Sequence, residues 1–349
     1  MSVYTRIERH DLEEFLHHYP LGTLVSFEGI RAGIENTNYF VTTTYASPGS
    51  STCMDGRGMP DAGNTLPSTP QAQLVLTLFE QLKYDELPYF INLMAFFAER
   101  GIPSAHPLAD HQQHYLRLLR GKPAALVQRL SGAGTEHPNP AQCRALGSAL
   151  GRMHVVGQTY PLHRANARGL LWCQNTMDTL LPRLTAQDAV LLQEEVRFQM
   201  AFHATPAINT LPRGVIHADL FRDNALFVGD TLTGIIDFYY ACNDVLLYDV
   251  AVTVNDWCSQ PDGALDNILT PALLQAYQQQ RPFSHAEYDA WPVMLRAAAL
   301  RFWLSRLHDL HFPRAGEITH IKDPDVFKRI LIHRKDHASL GYMPSPKIS

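Results

Sequence analysis

The 349-residue chain has the composition of an ordinary globular protein, with 46% hydrophobic and 18% charged residues, enough for one large core or two lobes. A formal net charge of -5, without a basic stripe, a polybasic segment or a long apolar run, argues against nucleic-acid and membrane partners. The five cysteines are widely spaced and the amino terminus lacks a signal-peptide core, so the sequence predicts a cytoplasmic protein with free thiols.

A small antiparallel sheet is predicted near the start of the chain. An amphipathic helix beginning at Asp11 precedes apolar strands at 24–27, 39–44 and 74–79. Residues 46–71 are rich in Ser, Gly, Pro and Thr and cannot form a core, which predicts a mobile insertion between two strands.

A glycine-containing segment between the first two strands is the candidate phosphate-binding loop. Gly29 and Gly33 let the backbone approach a ligand, and the N–H groups of such a loop can hold phosphate oxygens. A plain turn explains the two glycines equally well, so this assignment depends on catalytic residues further along the chain. Asn36 and Asn38 of the same segment are added as candidate nucleotide-binding residues.

A hairpin and a candidate hinge follow the sheet. Residues 115–119 and 124–130 form the two predicted strands of the hairpin. The end of the second strand has the position of a hinge between lobes, where Gln128 and Leu130 would pair with adenine. An ordinary edge strand is an equally good interpretation of these residues.

From residue 140 onwards the sequence predicts mainly helices. Helices are expected at 141–158 and 177–203, and the latter region restarts at a cap formed by Thr185. A further helix begins at the capping box that starts with Ser284. This helix is predicted to carry Arg301, Ser305 and His308 on one face, because three- and four-residue steps fall on the same side.

The segment 215–237 carries the clearest functional signal. An apolar strand leads into His217 and Asp219, and a strand–turn–strand unit lies between Asn224 and Asp237. Because the ribbon folds back on itself, Asn224 and Asp237 are expected to converge beside Asp219. Two oxygen ligands and a free carboxylate are what phosphoryl transfer from ATP–Mg²⁺ requires.

The order of these residues resembles the catalytic loop of protein kinases, H-R-D-x-x-x-x-N followed by Asp-Phe-Gly. Here Ala218 stands for the Arg and Tyr239 for the Gly. The form H-x-D-x-x-x-x-N…I-D-F is similar to the aminoglycoside-phosphotransferase-like family, which phosphorylates small hydroxylated molecules.

Each residue of the segment has a role in this hypothesis. Asp219 is the catalytic residue and contacts the substrate, accepting the hydroxyl proton as the alcohol attacks the γ-phosphate of ATP. Asn224 and Asp237 hold Mg²⁺. His217 and Asp249 are structural supports that brace the catalytic loop.

Longer segments make the chain similar to the homoserine kinases of this family, over nearly its whole length apart from the insertion. These segments are GIENTNYFV (33–41), VLTLFE (75–80), LPYFINLMAFFAERGIP (87–103), GKPAALVQRLSG (121–132), HADLFRDN (217–224), IIDFYYAC (235–242), YDVAVTVNDWC (248–258) and RAAALRFWLSRLHD (296–309). The resemblance implies ATP-dependent phosphorylation of L-homoserine to O-phospho-L-homoserine for threonine biosynthesis.

The same resemblance implies an α+β, bilobal protein-kinase-like fold. Its small antiparallel-sheet lobe, which binds the nucleotide, would comprise residues 1–130, including the insertion. Its larger, mostly helical lobe, with the catalytic loop and the substrate pocket, would comprise residues 131–349. The sequence does not indicate an oligomeric state.

The substrate that the resemblance implies carries a carboxylate and an ammonium, so its pocket should offer a cation and an acid. Arg301 is the candidate that binds the carboxylate through two parallel hydrogen bonds, although a surface arginine is ordinarily solvated. An aspartate near the helix at 254–257 is the candidate for the ammonium.

One departure from the kinase pattern leaves alternatives open. A kinase carries a Lys on the third strand and a Glu on the next helix, but Thr77 and the stretch 88–90 stand there instead. Phosphate anchoring would then come from the glycine-containing loop, the metals, Arg31 or Lys122. A kinase of an aminoglycoside, choline or another small alcohol, and a non-catalytic nucleotide-binding protein, are the other interpretations.

Overall fold

The structure divides the chain into two units that are interleaved in sequence. A computed structural model describes residues 5–30, 36–45, 71–313, 322–337 and 342–344. The first unit comprises Met1–Pro88 and His106–Arg129, and the second comprises Tyr89–Ala105 and Leu130–Ser349. Residues 89–105 thus belong to the second unit, whereas the sequence-based division placed them in the first.

An antiparallel sheet with the strand order β1-β2-β3-β5-β4 makes up most of the first unit. Its elements are α1 (Arg9–Leu16), β1 (Leu21–Gly29), β2 (Asn36–Tyr45), β3 (Gln71–Phe79), β4 (Arg117–Leu119) and β5 (Lys122–Gln128). Leu74, Leu76 and Leu78 alternate along β3 and are buried together with Leu12 and Phe15 of α1. Successive side chains of a strand point to opposite faces, so this alternation places one apolar face of β3 in the core.

The predicted boundaries in the first unit need three corrections. Helix α1 starts before Asp11, because Glu8 is the N-cap and Asp11 accepts a 2.8 Å hydrogen bond from the Glu8 backbone N–H. Strand β2 begins at Asn36, so the residues taken as the end of a loop are strand residues. Gln71, the last residue of the predicted insertion, opens β3, and residues 46–70 lie outside the described part of the chain.

The second unit is mostly helical, and together with the sheet of the first unit it confirms the predicted α+β class. Its helices are α2 (Leu87–Glu99), α3 (Pro140–Gly157), α4 (Leu170–Leu180), α5 (Ala186–His203), α6 (Ala207–Thr210), α7 (Leu246–Trp257), α8 (Leu269–Gln280), α9 (His285–His311) and α10 (Pro324–Asp336). Two antiparallel ribbons pair β6 (Arg213–Ile216) with β9 (Cys242–Val245) and β7 (Ala225–Val228) with β8 (Thr231–Ile235).

Aromatic packing explains why α2 belongs to the second unit although its sequence follows a strand of the first. Phe97 lies 5.7 Å from Phe238, and Phe90 lies 6.1 Å from Tyr239, measured between ring centroids. The chain after the helix continues this association, since Ile235 donates its backbone N–H to the Pro103 carbonyl. Such contacts between distant segments leave no periodic signal in the sequence.

Helix starts in the second unit follow the predicted caps. The Thr185 hydroxyl accepts the Asp188 N–H at the start of α5, and the Ser284 hydroxyl accepts the Glu287 N–H at the start of α9. These caps satisfy backbone donors that have no partner within the helix. No helix in the described ranges combines the length and the apolar character that crossing a bilayer demands.

Candidate active site

A ribbon brings two predicted ligand residues to the same end. Ala225 of β7 pairs with Ile235 of β8, and Ile236 donates its N–H to the Asn224 carbonyl at 3.0 Å. Gly229 makes the turn at the other end with a φ of +59°, a conformation that glycine adopts without steric cost. Asn224 and Asp237 therefore flank the same end of the ribbon.

Asn224 connects this end to Asp219. Its side-chain amide nitrogen donates to the Asp219 carbonyl at 2.8 Å and to Asp219 Oδ2 at 3.2 Å. The amide nitrogen is thereby used within the loop, and the amide oxygen is the atom that can serve as a ligand. The charge of Asp237 also acts on Asp219 and raises its pKa. The structure thus brings these three predicted site residues together.

The Asp219 carboxyl has a strongly shifted pKa. Burial raises the pKa to about 8, the guanidinium of Arg301 opposes this shift, and the charge of Asp237 adds to it. Arg301 NH1 lies 3.7 Å from Asp219 Oδ1. The two residues that sequence analysis assigned to the substrate are therefore neighbours.

Asp249, at the start of α7, holds the backbone of the loop. Its two carboxylate oxygens accept the N–H groups of His217 at 2.8 Å and Ala218 at 2.7 Å. Burial on its own would raise the pKa of Asp249, but the hydrogen bonds from His154 and from the His217 N–H outweigh it and hold the pKa below its ordinary value. Asp249 therefore faces the loop as a carboxylate.

The hydrogen-bond partners of His217 define its tautomer. Nε2 lies 2.9 Å from the Ile236 carbonyl, which can only accept, and Nδ1 lies 3.3 Å from the Asp219 N–H, which can only donate. The proton is thus on Nε2. Burial lowers the pKa of His217, so the ring is neutral and connects the loop to the end of β8.

Asp256 is a second anchor of the loop. Asp256 accepts the backbone N–H of Arg222 at 2.8 Å and its Nε at 3.1 Å, and its carboxylate is buried. Asp256 is therefore engaged with the loop instead of being available to a substrate ammonium. The seven-residue step from Asp249 puts both aspartates on one face of α7, and this spacing was the signal in the sequence.

A buried polar chain that the sequence did not reveal continues behind Asp249. Its third member, Tyr277, has its hydroxyl 2.7 Å from His154 Nδ1 and 3.0 Å from Arg281 NH1. Arg281 NH1 in turn lies 2.8 Å from Glu287 Oε1, at the capping box of α9. All five residues, from Asp249 to Glu287, are buried. The start of α9 is thereby connected to the catalytic loop.

The candidate nucleotide-binding residues near the start of the chain belong to the sheet of the first unit. Gly29 ends β1 opposite Tyr39, and Asn36 opens β2 as a buried residue. The side-chain oxygen of Asn38 accepts the hydroxyl of Thr77 at 2.8 Å. Gly33 and Arg31 lie outside the described residues.

Of the hinge candidates and Lys122, Gln128 and Lys122 have partners within the first unit, and Leu130 belongs to the second unit. Gln128 is exposed at the end of β5, where its N–H donates to the His106 carbonyl at 2.9 Å. Leu130 is the first residue of the long segment of the second unit. Lys122, one candidate for the missing phosphate anchor, lies 3.1 Å from Glu80 in the first unit.

Comparison with known proteins defines the class. Residues 26–291 match the model of the APH family, the phosphotransferase enzyme family, and the chain belongs to this family. Curated relatives include a homoserine kinase of Methylobacillus flagellatus, 46% identical over 333 residues that cover 95% of both chains. Another is a homoserine kinase of Janthinobacterium sp. (strain Marseille), 42% identical over 340 residues, covering 97% of this chain and 98% of the relative.

Solved structures agree with this assignment at the level of the fold. An amicoumacin kinase in complex with AMP-PNP, Ca²⁺ and Ami superposes with a TM-score of 0.67 at 14% identity, covering 96% of this chain and 95% of that chain. An identity this low supports the fold alone. Together the comparisons confirm the predicted resemblance, the kinase-like α+β fold and the class of phosphotransferase.

Proposed function

We propose that this protein is a homoserine kinase that transfers the γ-phosphate of ATP to the hydroxyl of L-homoserine and releases O-phospho-L-homoserine. The assignment of homoserine as the substrate rests on the curated homoserine kinases that align with almost the entire chain. The reaction class rests on one observation above the others, namely that Asn224 donates to Asp219 while the charge of Asp237 acts on the same carboxyl.

Asp219 is the proposed catalytic residue. Phosphoryl transfer requires a group that orients the attacking hydroxyl and accepts its proton. Asp219 is held by Asn224, and its raised pKa brings its proton affinity close to that of a useful general base. Asp219 therefore directs the homoserine hydroxyl towards the phosphate.

Asn224 and Asp237 are the proposed Mg²⁺ ligands. An amide oxygen and a carboxylate suit this hard cation, which usually takes one or two carboxylates, and its other ligands are nucleotide phosphates and waters. The described residues contain no group of three or more His, Cys, Asp or Glu that could hold a metal by themselves, which is compatible with a site shared with phosphates. Bound Mg²⁺ supplies charge neutralisation at the phosphate oxygens.

Arg301 is the proposed partner of the homoserine carboxylate. The residue is only 4% exposed, so it is not the solvated surface arginine that is commonest in proteins. A guanidinium matches a carboxylate with two parallel hydrogen bonds. Because Arg301 also lies beside Asp219, a homoserine bound to it would have its hydroxyl close to the proposed base.

The nucleotide-binding roles of Gly29, Gly33, Asn36, Asn38 and the pair Gln128 and Leu130 stay predictions. They rest on the positions of these residues in the sequence pattern and on the kinase-like fold. Phosphate anchoring by Lys122 is a further prediction, and it would require Lys122 to exchange Glu80 for a phosphate.

A coupled ADP-release assay with Mg²⁺ and a panel of acceptors tests the function. L-Homoserine is expected to give a kcat/KM at least about a hundredfold above that for choline or kanamycin, since a charge left unpaired in the pocket costs several kcal/mol. A higher kcat/KM for kanamycin or choline than for L-homoserine would show that homoserine is not the acceptor. ATP binding without acceptor-dependent ADP release from any alcohol would favour the non-catalytic interpretation.

A further inference from the structure

A cavity in the second unit lies next to the catalytic loop. Its volume is about 50 Å³, and residues at the start of α4, the end of α5, the start of α7 and the middle of α9 line it. Arg301 is one of these lining residues and also lies 3.7 Å from Asp219. Arg301 therefore lies between the cavity and the proposed base.

Arg301 offers hydrogen-bond donors that the described residues do not use. Its guanidinium lies over the rings of Phe302 at 3.8 Å and Tyr240 at 5.0 Å. The contact to Asp219, at 3.7 Å, is longer than a hydrogen bond, and no other described residue accepts from this side chain. A guanidinium that is buried and makes only this long contact is further stabilised when an anion accepts hydrogen bonds from it.

Arg168 brings a second cation to the same aromatic ring. Its guanidinium lies 4.5 Å from the centroid of Trp172 and 5.8 Å from that of Tyr240. Among the residues that the structure describes, none accepts a hydrogen bond from this guanidinium or pairs with it. Both guanidiniums approach the ring of Tyr240, so an anion bound beside this ring would be attracted by two positive charges.

The wall of the cavity also contains an acid. Asp244 lines it, with Oδ2 accepting from Asn166 Nδ2 at 2.8 Å and Oδ1 accepting from Arg213 NH1 at 2.9 Å and from the Val245 N–H at 2.8 Å. A carboxylate has about four acceptor positions, so these three bonds leave one on Oδ2 for an ammonium. Asp256 is also paired with an arginine, but unlike Asp244 it does not line the cavity.

We propose that this cavity recognises an α-amino-acid zwitterion, with Arg168 joining Arg301 on the carboxylate and Asp244 facing the ammonium. The inference rests on the proposed homoserine kinase function and adds to it the residues that select the acceptor. An acceptor that lacks either charge leaves buried groups without a partner, which is how such a pocket excludes simple amino alcohols and hydroxy acids.

The carboxylate part is tested with Arg168→Met and two acceptors, L-homoserine and 3-aminopropan-1-ol, which is homoserine without its carboxylate. The KM for homoserine should rise about tenfold to a hundredfold, the usual size of a charge-assisted hydrogen bond, with kcat nearly unchanged. The KM for the amino alcohol should stay constant. Arg183→Met is the matched control, because Arg183 is exposed and lies 4.5 Å over the Phe312 ring away from the cavity.

The ammonium part is tested with Asp244→Asn and 4-hydroxybutanoate, which is homoserine without its ammonium. This variant should lose at least about tenfold in kcat/KM for homoserine and change little for the hydroxy acid. Asp178→Asn makes the same change at an exposed acid of α4 that does not line the cavity and should leave both acceptors unaffected. Equal losses for the charged and the truncated acceptor, in either variant, would show a structural effect and overturn the inference.

A binding measurement separates this inference from the function on which it rests. Trp172 lies against Arg168, so its fluorescence should report homoserine binding in the absence of nucleotide. In one outcome, the wild type binds homoserine saturably, and more tightly than Arg168→Met does, yet releases no ADP. This outcome would support the proposed binding pocket and reject the kinase function. If the wild type phosphorylates homoserine and Arg168→Met changes neither the KM nor the binding of homoserine, the kinase function is supported and the proposed binding pocket is rejected.

Discussion

His154 on α3 donates a 3.0 Å hydrogen bond to Asp249 on α7, and neither side chain is exposed to solvent. The same carboxylate accepts the two backbone N–H groups that begin the catalytic loop. A buried carboxylate is stable only when its acceptor positions are matched. The contact therefore joins the packing of two helices to the conformation of the loop.

We expect the His154→Leu variant to be strongly destabilised. Removing the neutral imidazole takes one of three hydrogen bonds from the buried Asp249 carboxylate, which costs about 1.5–3 kcal/mol. Urea denaturation should show this loss in the free energy of unfolding. His163→Leu makes the same change at an exposed histidine and should cost less than about 0.5 kcal/mol. Similar losses in the two variants would contradict the coupling of His154 to Asp249.

Stability should decline as the solution becomes acidic. Burial lowers the pKa of His154 and His217 below the ordinary value of 6.5, so both are neutral in the folded state. Below pH 6.5 the unfolded chain takes up protons that the folded chain does not, and each histidine then removes up to about 1.4 kcal/mol per pH unit. The lowered pKa of Asp249 acts in the same direction below pH 3.8.

Thermal unfolding between pH 8 and pH 5 checks this prediction. Tm should be nearly constant above neutrality and should fall as the pH drops through 6.5. His163→Leu removes an exposed histidine and should show the same dependence as the wild type. A Tm that rises on acidification would mean that the buried histidines are protonated in the folded protein.

Local sequence signals account for the predicted proximity of Asp219, Asn224 and Asp237. The spacing of Asp219, Asn224 and Asp237 depends on one strand, one turn and one ribbon, all of which are encoded by neighbouring residues. The caps at Thr185 and Ser284 also act within a single turn of helix. Such features need no knowledge of the tertiary structure.

Long-range contacts account for what the sequence did not predict. His154 and Asp249 are 95 positions apart, and His154 and Tyr277 are 123 apart. A histidine on an apolar helix face has the same local pattern whether it binds a ligand, fills the core or pairs with a distant acid. The contact between Asp256 and Arg222 is of the same kind, since the two residues are 34 positions apart.

Asp219→Asn should abolish most of the catalysis. Loss of a general base typically costs about 10²–10⁴-fold in kcat, while ATP affinity should change little. Asp223→Asn is the matched control, because Asp223 belongs to the same loop but is exposed and paired with Lys322 at 2.8 Å. Steady-state ADP release and nucleotide titration measure the two quantities. A near-normal kcat of the Asp219→Asn variant would show that Asp219 is not the general base.

Asp237→Asn should weaken the response to magnesium. Replacing a carboxylate ligand by an amide removes charge from the proposed site, so the Mg²⁺ concentration for half-maximal activity should rise at least about tenfold. Asp230→Asn changes an exposed acid at the turn of the same ribbon and should leave the Mg²⁺ titration unchanged. Indistinguishable titrations of all three proteins would exclude Asp237 as a ligand.

Ala218 adopts a left-handed backbone conformation that restricts which residues the loop accepts there. Its φ is +63°, which costs an L-residue about 1–2 kcal/mol and is least favourable for a β-branched side chain. Glycine adopts this φ freely and keeps the N–H that donates to Asp249, so Ala218→Gly should retain kcat within about threefold.

Ala218→Val supplies the contrast at the same position. A β-branched side chain is strained at this φ, and its added methyl groups must also fit into the buried cluster with Ile216 and Leu246. The free energy of unfolding should therefore fall by at least about 2 kcal/mol. Because Asp219 follows directly, kcat should fall at least about tenfold with the misplaced loop. Denaturation curves and ADP release measure both effects. Equal activity of the Gly and Val variants would show that the loop does not depend on the left-handed conformation at this residue.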